Sequence, residues 1–347
     1  MSGIRIGVIG ATGMVGREYP DIIAASTLDV AEVRYFASRR SVGQRMDFRG
    51  QSIPVEEFTV EAMRGLDLAL FSISTELARE YAPQVAANGT LVIDDSSAFR
   101  MDPGVPLVVP EVNAQAAFQH KGIIAGPNCS TAQMVVALAP LHRANPLKRV
   151  VVDTYQAASG AGKAAMDELW EQTRETLAGS HPEPQAHPQS LVFNIFPHID
   201  SFRDDGYTKE EWKMLVETRK IMGIPDLPLS ATCVRVPVAV GHSEALHIEF
   251  QRPMSAAEAR ALLEAAPGIV VVDDPLAKRY PQPIDAAGKD PVYVGRIRED
   301  VSLPGGIALW CVADNVRKGA ALNAVQIAEV VFAKSAVSAT PEPVATR

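Results

Sequence analysis

Cysteine is scarce in this chain: Cys129, Cys233 and Cys311 are the only three in 347 residues, and none has a paired spacing. Neither a disulfide framework nor a structural zinc site fits that pattern, and no metal is expected. Long apolar runs are missing too. None reaches the length of a membrane span, and the start Met1-Ser2-Gly3-Ile4-Arg5 lacks a secretory pattern. Basic charge is in deficit, with a formal net charge of -8, which argues against a nucleic-acid partner and suits a soluble enzyme. What is left reads as a cytoplasmic globular protein, 47% apolar and 21% charged, long enough for two cores. After about Ala333 the chain is rich in Ala, Pro, Ser and Thr, and residues 336–347 read as a disordered tail.

The N-terminal third alternates strand and helix. Ile4-Arg5-Ile6-Gly7-Val8-Ile9 is a short apolar strand that runs into Gly10-Ala11-Thr12-Gly13-Met14-Val15-Gly16, after which a helix follows through Arg17-Glu18-Tyr19 to Ala24-Ala25. Strand, glycine-rich turn and helix are the context a dinucleotide fingerprint requires: the glycines let the backbone approach a pyrophosphate seated on the helix N-terminus. The next strand, Glu32 to Ala37, ends in Ser38-Arg39-Arg40-Ser41. Hydroxyls and guanidiniums at a place where an NAD site carries an acidic residue suit a 2′-phosphate and favour NADP; a solvated basic turn is the plain alternative. Strand-like runs at 67–72 and 90–95 flank a helix from Thr75 to Ala87, so the alternation implies a parallel sheet. Arg100, in the loop beyond the second run, is either an anion binder at the carboxyl end of the sheet or a solvated loop arginine.

Gly126-Pro127-Asn128-Cys129-Ser130-Thr131-Ala132 follows a short apolar strand and precedes a helix from Gln133. Cys129 is thereby expected near a helix N-terminus, where unpaired N–H groups and the dipole favour a thiolate, with Ser130 and Thr131 as capping hydroxyls. A buried, inert cysteine remains the competing reading. Beyond it, a strand at 150–156 leads into Ala157-Ala158-Ser159-Gly160-Ala161-Gly162, followed by a polar helix from Ala164 to Leu177 and a proline-bearing loop at 180–189. A helix opening at Lys209 puts Glu210 and Lys213 three apart, the spacing of a weak exposed ion pair. Arg235 and His242 reach a common cleft if the chain bends at Pro237 and Gly241, and a last apolar helix, 320–332, returns to the first domain.

In order, GATGMVG, ASRRS, GPNCSTAQ, TYQAASGAG, GYTKEEWK, RVPVAVGHSEA and WCVADNVRKGAALNAVQIAE resemble aspartate-semialdehyde dehydrogenase over nearly the whole chain. The resemblance implies an α/β fold: a Rossmann-type parallel-sheet nucleotide domain (1–130, completed by a helix at about 315–335) and an α+β catalytic and dimerisation domain (131–314). It implies Cys129 as the nucleophile of an acyl-thioester, His242 as acid/base with a near-neutral pKa, and Gln156 orienting the substrate. Arg235 would grip the substrate carboxylate and Glu210 its amino group, with Arg100, Asn128 and Lys213 at the phosphate. Gly10, Thr12, Gly13, Met14, Val15, Arg40 and Ser41 would hold NADP, and Ser159, Gly160 and Asn315 would approach its nicotinamide. The implied reaction interconverts L-aspartate 4-semialdehyde plus phosphate and L-4-aspartyl phosphate, in lysine, threonine, methionine and isoleucine biosynthesis, by a homodimer.

Three rivals stand beside it, one of them a structural dimerisation protein, which explains the middle region but not the N-terminal fingerprint. A reductase of another acyl phosphate, such as N-acetyl-glutamyl phosphate, has no need of Glu210 for a free amine. A catalytically inactive nucleotide-binding homologue is expected to have lost Cys129, Gln156 or His242, and all three are present.

Overall fold

The structure, a computed structural model, describes residues 3–180 and 182–333, so the tail at 336–347 lies outside the described residues. The chain begins with β1 (Ile4–Ile9), a glycine turn and α1 (Tyr19–Ala25), then β2 (Val30–Ala37), β3 (Arg45–Phe48) and β4 (Gln51–Glu57). Next come β5 (Leu68–Phe71), α2 (Thr75–Ala87), β6 (Leu91–Asp94), α3 (Pro110–Asn113) and β7 (Ile123–Ala125). These strands form a seven-stranded sheet in the order β3-β4-β2-β1-β5-β6-β7, with only the β3–β4 pair antiparallel. β5 and β6 are buried along their length, and apolar except for Asp94 at the end of β6, because helices cover both faces of a parallel sheet.

α4 (Cys129–Ala144) leaves this sheet and runs beneath a second one. β8 (Leu147–Gln156), α5 (Lys163–Leu177), α6 (Lys209–Met222), β9 (Leu229–Arg235) and β10 (His242–Phe250) follow. α7 (Ala256–Glu264), β11 (Ile269–Val271), α8 (Pro283–Ala286), β12 (Val292–Glu299), β13 (Ile307–Ala313) and α9 (Leu322–Phe332) complete the chain. The second sheet is six-stranded and mixed, in the order β11-β12-β13-β10-β8-β9. β10 alternates, burying His242, Glu244, Leu246, Ile248 and Phe250 on one face. Opposite that face, α4 is apolar nearly all round, and its Met134, Val135 and Leu138 share one core with Phe71 of the first sheet and Leu246 of the second. α9 returns to the first sheet, packing Ala324, Val325 and Ile327 with Ile6 and Val8, as the sequence leads one to expect. Among the described residues, no helix is long and apolar enough to cross a membrane.

Candidate active site

Asn128 makes the turn from β7 into α4. Its Oδ1 accepts from the backbone N–H of Ser130 at 3.0 Å and of Thr131 at 3.2 Å, which makes Cys129 the first helical residue. The helix thus begins four positions before Gln133, and the expected capping by Ser130 and Thr131 is corrected: both hydroxyls are buried without partners. The turn after β13, π-helical over Arg317–Ala321, packs on this point. A Cβ at Gly319 would stand 2.7 Å from Cys129 Cβ, so only glycine permits the approach.

Two acidic residues of α6 organise the charges around Cys129. Glu217, which sequence reasoning did not single out, is 1% exposed; its carboxylate takes the Arg100 guanidinium at 3.1 Å and the Asn128 backbone N–H at 2.6 Å. Arg100 is not a solvated loop residue. It is buried, with further bonds to the carbonyls of Gly126 (2.9 Å) and Asp95 (2.7 Å). Glu210 is also buried, correcting the picture of an exposed pair. Its Oε1 accepts from Asn128 Nδ2 at 2.7 Å and Gln156 Nε2 at 3.1 Å, while Lys213 Nζ bridges its Oε2 (3.3 Å) and Asp200 (2.8 Å). A short polar stretch of sequence gives no sign of such burial; the capping box at Thr208 and Glu211 sets the helix so that Glu210 and Glu217, two turns apart, face inward.

The second sheet supplies the opposite wall. β9 ends at Arg235 and β10 starts at His242, and the bend between them brings the two side chains together: a Cβ at Gly160 would lie 3.0 Å from both Arg235 Nη1 and His242 Nε2. Arg235 Nη1 donates to the Ala157 carbonyl at 2.6 Å, and the Ala157 N–H donates to His242 Nδ1 at 3.0 Å. Because Nδ1 accepts, the single proton of the neutral ring sits on Nε2, which has no partner and is buried. Asn315 Oδ1 takes both the Ser159 hydroxyl (3.1 Å) and the Gly241 N–H (2.9 Å), closing this end of the cleft.

The electrostatics overturn two expectations. Burial, then the Glu210 carboxylate, pushes the Cys129 thiol up to about 12, against the pull of Arg100, Arg235 and the Ser130 N–H. The helix N-terminus therefore does not hold a thiolate in the unliganded protein. Burial and the Arg235 guanidinium hold His242 well below the usual imidazole range, so the resting pair is a thiol and a neutral imidazole.

Gly13, Met14, Val15, Arg100, Asn128, Cys129, Gln156, Ser159, Gly160, Glu210, Lys213, Arg235 and Asn315 line one cleft of about 490 Å³. His242 stands behind it. Asp95 and Ser72 are further wall residues; Asp95 accepts from Tyr19 Oη at 2.6 Å and Ser72 Oγ at 3.0 Å, and burial raises its carboxyl to about 6. A second cavity, also about 490 Å³, shares Gly13, Ser72 and Ile73 and extends past Gly10 and Thr12 to Ser38 and Arg39. Arg39, rather than Arg40, is on its wall, and Ser41 instead bonds the Thr12 hydroxyl at 3.1 Å.

The turn fits a dinucleotide. The N–H groups of Gly10 and Ala11 are spent on the Phe36 carbonyl, whereas those of Thr12, Met14 and Val15 have no partner among the described residues. A Cβ at Gly16 would lie 2.2 Å from the Gly10 carbonyl oxygen, so the tight curl exists only with glycine there. Among the described residues no cluster of His, Cys, Asp or Glu has the makings of a metal site.

The fold and its nucleotide domain have counterparts among known proteins. Residues 5–120 match the family description "Semialdehyde dehydrogenase, NAD binding domain", and residues 138–318 match "Semialdehyde dehydrogenase, dimerisation domain". The aspartate-semialdehyde dehydrogenase of Aquifex aeolicus is 50% identical across 95% of this chain and 98% of its own length. That of Bacillus subtilis is 46% identical across 94% and 97%. The crystal structure of aspartate semialdehyde dehydrogenase II from Vibrio cholerae, complexed with ASA, superposes with a TM-score of 0.93 at 44% identity, over 96% of this chain and all of that one (100%). The Candida albicans enzyme with NADP gives a TM-score of 0.72 at 26% identity, over 95% and 98% of the two chains. The chain is a member of the aspartate-semialdehyde dehydrogenase family.

Proposed function

We propose that this cleft interconverts L-aspartate 4-semialdehyde plus phosphate and L-4-aspartyl phosphate through a thioester on Cys129. The observation that carries the reading is the buried set of fixed charges around one thiol. Arg235 matches an α-carboxylate, Glu210 an ammonium, and Arg100 with Lys213 a phosphate. An N-acetylated substrate has no charge to offer Glu210, which would then keep Lys213 as its cation and give nothing toward binding.

NADP, when bound along the glycine turn, supplies or accepts the hydride. The residues of the chain do the rest. The Gln156 amide, held by Thr154 and Glu210, fixes the substrate over Cys129. An ammonium placed against Glu210 cancels the anion that helps keep Cys129 protonated, so substrate arrival itself favours the thiolate. In one concerted exchange sulfur attacks the carbonyl carbon, the His242 Nε2 proton passes to the developing oxygen, and the same nitrogen takes the thiol proton, so the ring stays neutral. The hydroxyl proton of the adduct leaves as the hydride does. Phosphate, drawn to Arg100 and Lys213, displaces the thioester sulfur in the oxidative direction. A homodimer is part of this reading, supported by the dimerisation-domain match.

The test is phosphate-dependent reduction of NADP with L-aspartate 4-semialdehyde, run beside N-acetyl-glutamate semialdehyde and the Cys129→Ala variant. Turnover of the amino substrate alone, abolished by Cys129→Ala, is expected. Turnover of the acetylated substrate alone would overturn the assignment of Glu210.

A further inference from the structure

One layer behind Cys129 and His242, the core holds polar groups that the reaction as described leaves unused. Glu244 is 0% exposed, and neither carboxyl oxygen has a partner. Gln133 is 1% exposed, and its Oε1 is likewise orphaned. No hydrogen bond joins the two side chains, but they are neighbours: Gln133 Nε2 reaches the backbone of β10, and the Gln133 carbonyl lies 3.8 Å from Sγ of Cys311, the residue paired with Glu244. Their placement follows from two periodicities. Gln133 lies one turn after Cys129 on α4, and Glu244 lies two residues after His242 on β10, so each points the same way as its reactive neighbour. Gln133 Nε2 also donates to the His242 carbonyl at 3.3 Å. Thr154 and Cys311 flank Glu244 on the adjacent strands, and no lysine or arginine acts on its carboxyl.

We propose that Gln133 and Glu244 are the positioning pair of this active site. Glu244, as a neutral carboxylic acid, closes a two-hydrogen-bond ring with the Gln133 carboxamide, whose remaining N–H holds the main chain of His242. The ring accounts for every orphaned atom of the pair: the Glu244 O–H donates to Gln133 Oε1, and Gln133 Nε2 donates both to the Glu244 carbonyl oxygen and to the His242 carbonyl. Neutrality is required twice. A carboxylate here would be a buried charge with no counter-ion, and its field would raise His242, which the structure holds low. The pair thus locks α4 to β10 directly beneath the thiol and the imidazole. Its role rests on the assignment of Cys129 and His242 as the reacting groups.

The experiment compares Glu244→Gln, Glu244→Leu and the double variant Gln133→Leu/Glu244→Leu, with Cys129→Ala alongside. A glutamine preserves the ring as an amide pair, so Glu244→Gln is expected to keep kcat and the pH–rate profile. Glu244→Leu is expected to lower kcat about tenfold to a hundredfold, the scale of a misplaced reacting group, with KM within about twofold. The double variant removes both orphans, recovers thermal stability and leaves kcat low, which separates positioning from folding. The infrared carbonyl band of a protonated carboxyl is expected in the wild type and absent from Glu244→Gln. Loss of kcat or a shifted profile in Glu244→Gln, wild-type kcat in either leucine variant, or no such band would each overturn the proposal. Activity remaining in Cys129→Ala would instead remove the reading on which it rests.

Discussion

The two ends of the cleft handle negative charge by opposite means. At the nucleotide end the chain offers backbone: a curl of glycines leaves the N–H groups of Thr12, Met14 and Val15 unspent, with Arg39 at the edge. At the substrate end it offers side chains, and nearly every one is already tied to another protein group before a ligand arrives. Arg100 is tied to Glu217, Lys213 to Asp200 and Glu210, and Asn128 to Glu210. A backbone cradle costs little to keep empty because its donors are open to water. A buried charge set stands ready only if it is internally balanced, so its counter-ions are as necessary as the groups that meet the substrate.

The largest break in this comparison is expected from Glu217, which touches no part of the proposed substrate path. Glu217→Leu leaves the buried Arg100 guanidinium and the Asn128 N–H at the start of α4 without their acceptor. The expected loss of stability is about 3–5 kcal/mol, the range for breaking a buried pair on one side. Thermal denaturation measures it, and a Tm within a degree or two of the wild type would show that the pair is not needed for balance. At the other end, Gly16→Ala drives a methyl group against the Gly10 carbonyl. The clash is with backbone, which has no rotamer to yield, so the turn must open. A smaller loss of about 1–3 kcal/mol is expected, together with loss of NADP binding measured by fluorescence titration. NADP binding intact in Gly16→Ala would mean that the curl is not the cradle.

The same contrast explains what the sequence disclosed. Glycines at a strand-to-helix junction announce themselves because the backbone geometry admits no other residue, so the turn, its helix and the parallel sheet were all legible. Cys129, Gln156, Arg235 and His242 were legible as types within motifs, and the structure brings them into one place. Their partners were not. Glu217 and Asp200 lie in ordinary polar stretches far along the chain from the groups they balance, and only the fold puts them against Arg100 and Lys213. Protonation failed for a related reason. A cysteine at a helix start argues for a thiolate, but burial and Glu210 outweigh the dipole, and neither can be seen without coordinates.

That competition is open to measurement through the thiol itself. With Cys129 held up to about 12, its alkylation by iodoacetamide in the unliganded protein is expected to rise with pH from 7 to 10 without a plateau, since only the thiolate reacts. Glu210→Gln removes a negative charge that favours the protonated form and leaves Arg100, Lys213 and Arg235 unbalanced. The thiol must then fall, and the rate at pH 8 is expected to rise about tenfold, the equivalent of one pKa unit. A slower reaction in Glu210→Gln would reverse the sign assigned to Glu210 and make the substrate end less like a balanced charge set.

The smallest effect sharpens the nucleotide end. Arg39 and Arg40 are adjacent and both exposed on one short 3₁₀ turn after β2, yet only Arg39 lines the cavity that continues from the glycine turn. If this cavity holds the 2′-phosphate, the wall residue should matter more than its neighbour. Arg39→Ala is expected to raise KM for NADP by about threefold to tenfold, the modest scale of a solvent-exposed ion pair, and Arg40→Ala by less than about twofold. KM for NAD, which lacks the phosphate, should change little in either variant, so the ratio of the two cofactors isolates the contact. Increasing ionic strength should shrink the Arg39 effect, because an exposed pair is screened, while the balanced charges around Cys129 should respond far less. An Arg40→Ala effect larger than that of Arg39→Ala would relocate the phosphate to the outer side of the turn.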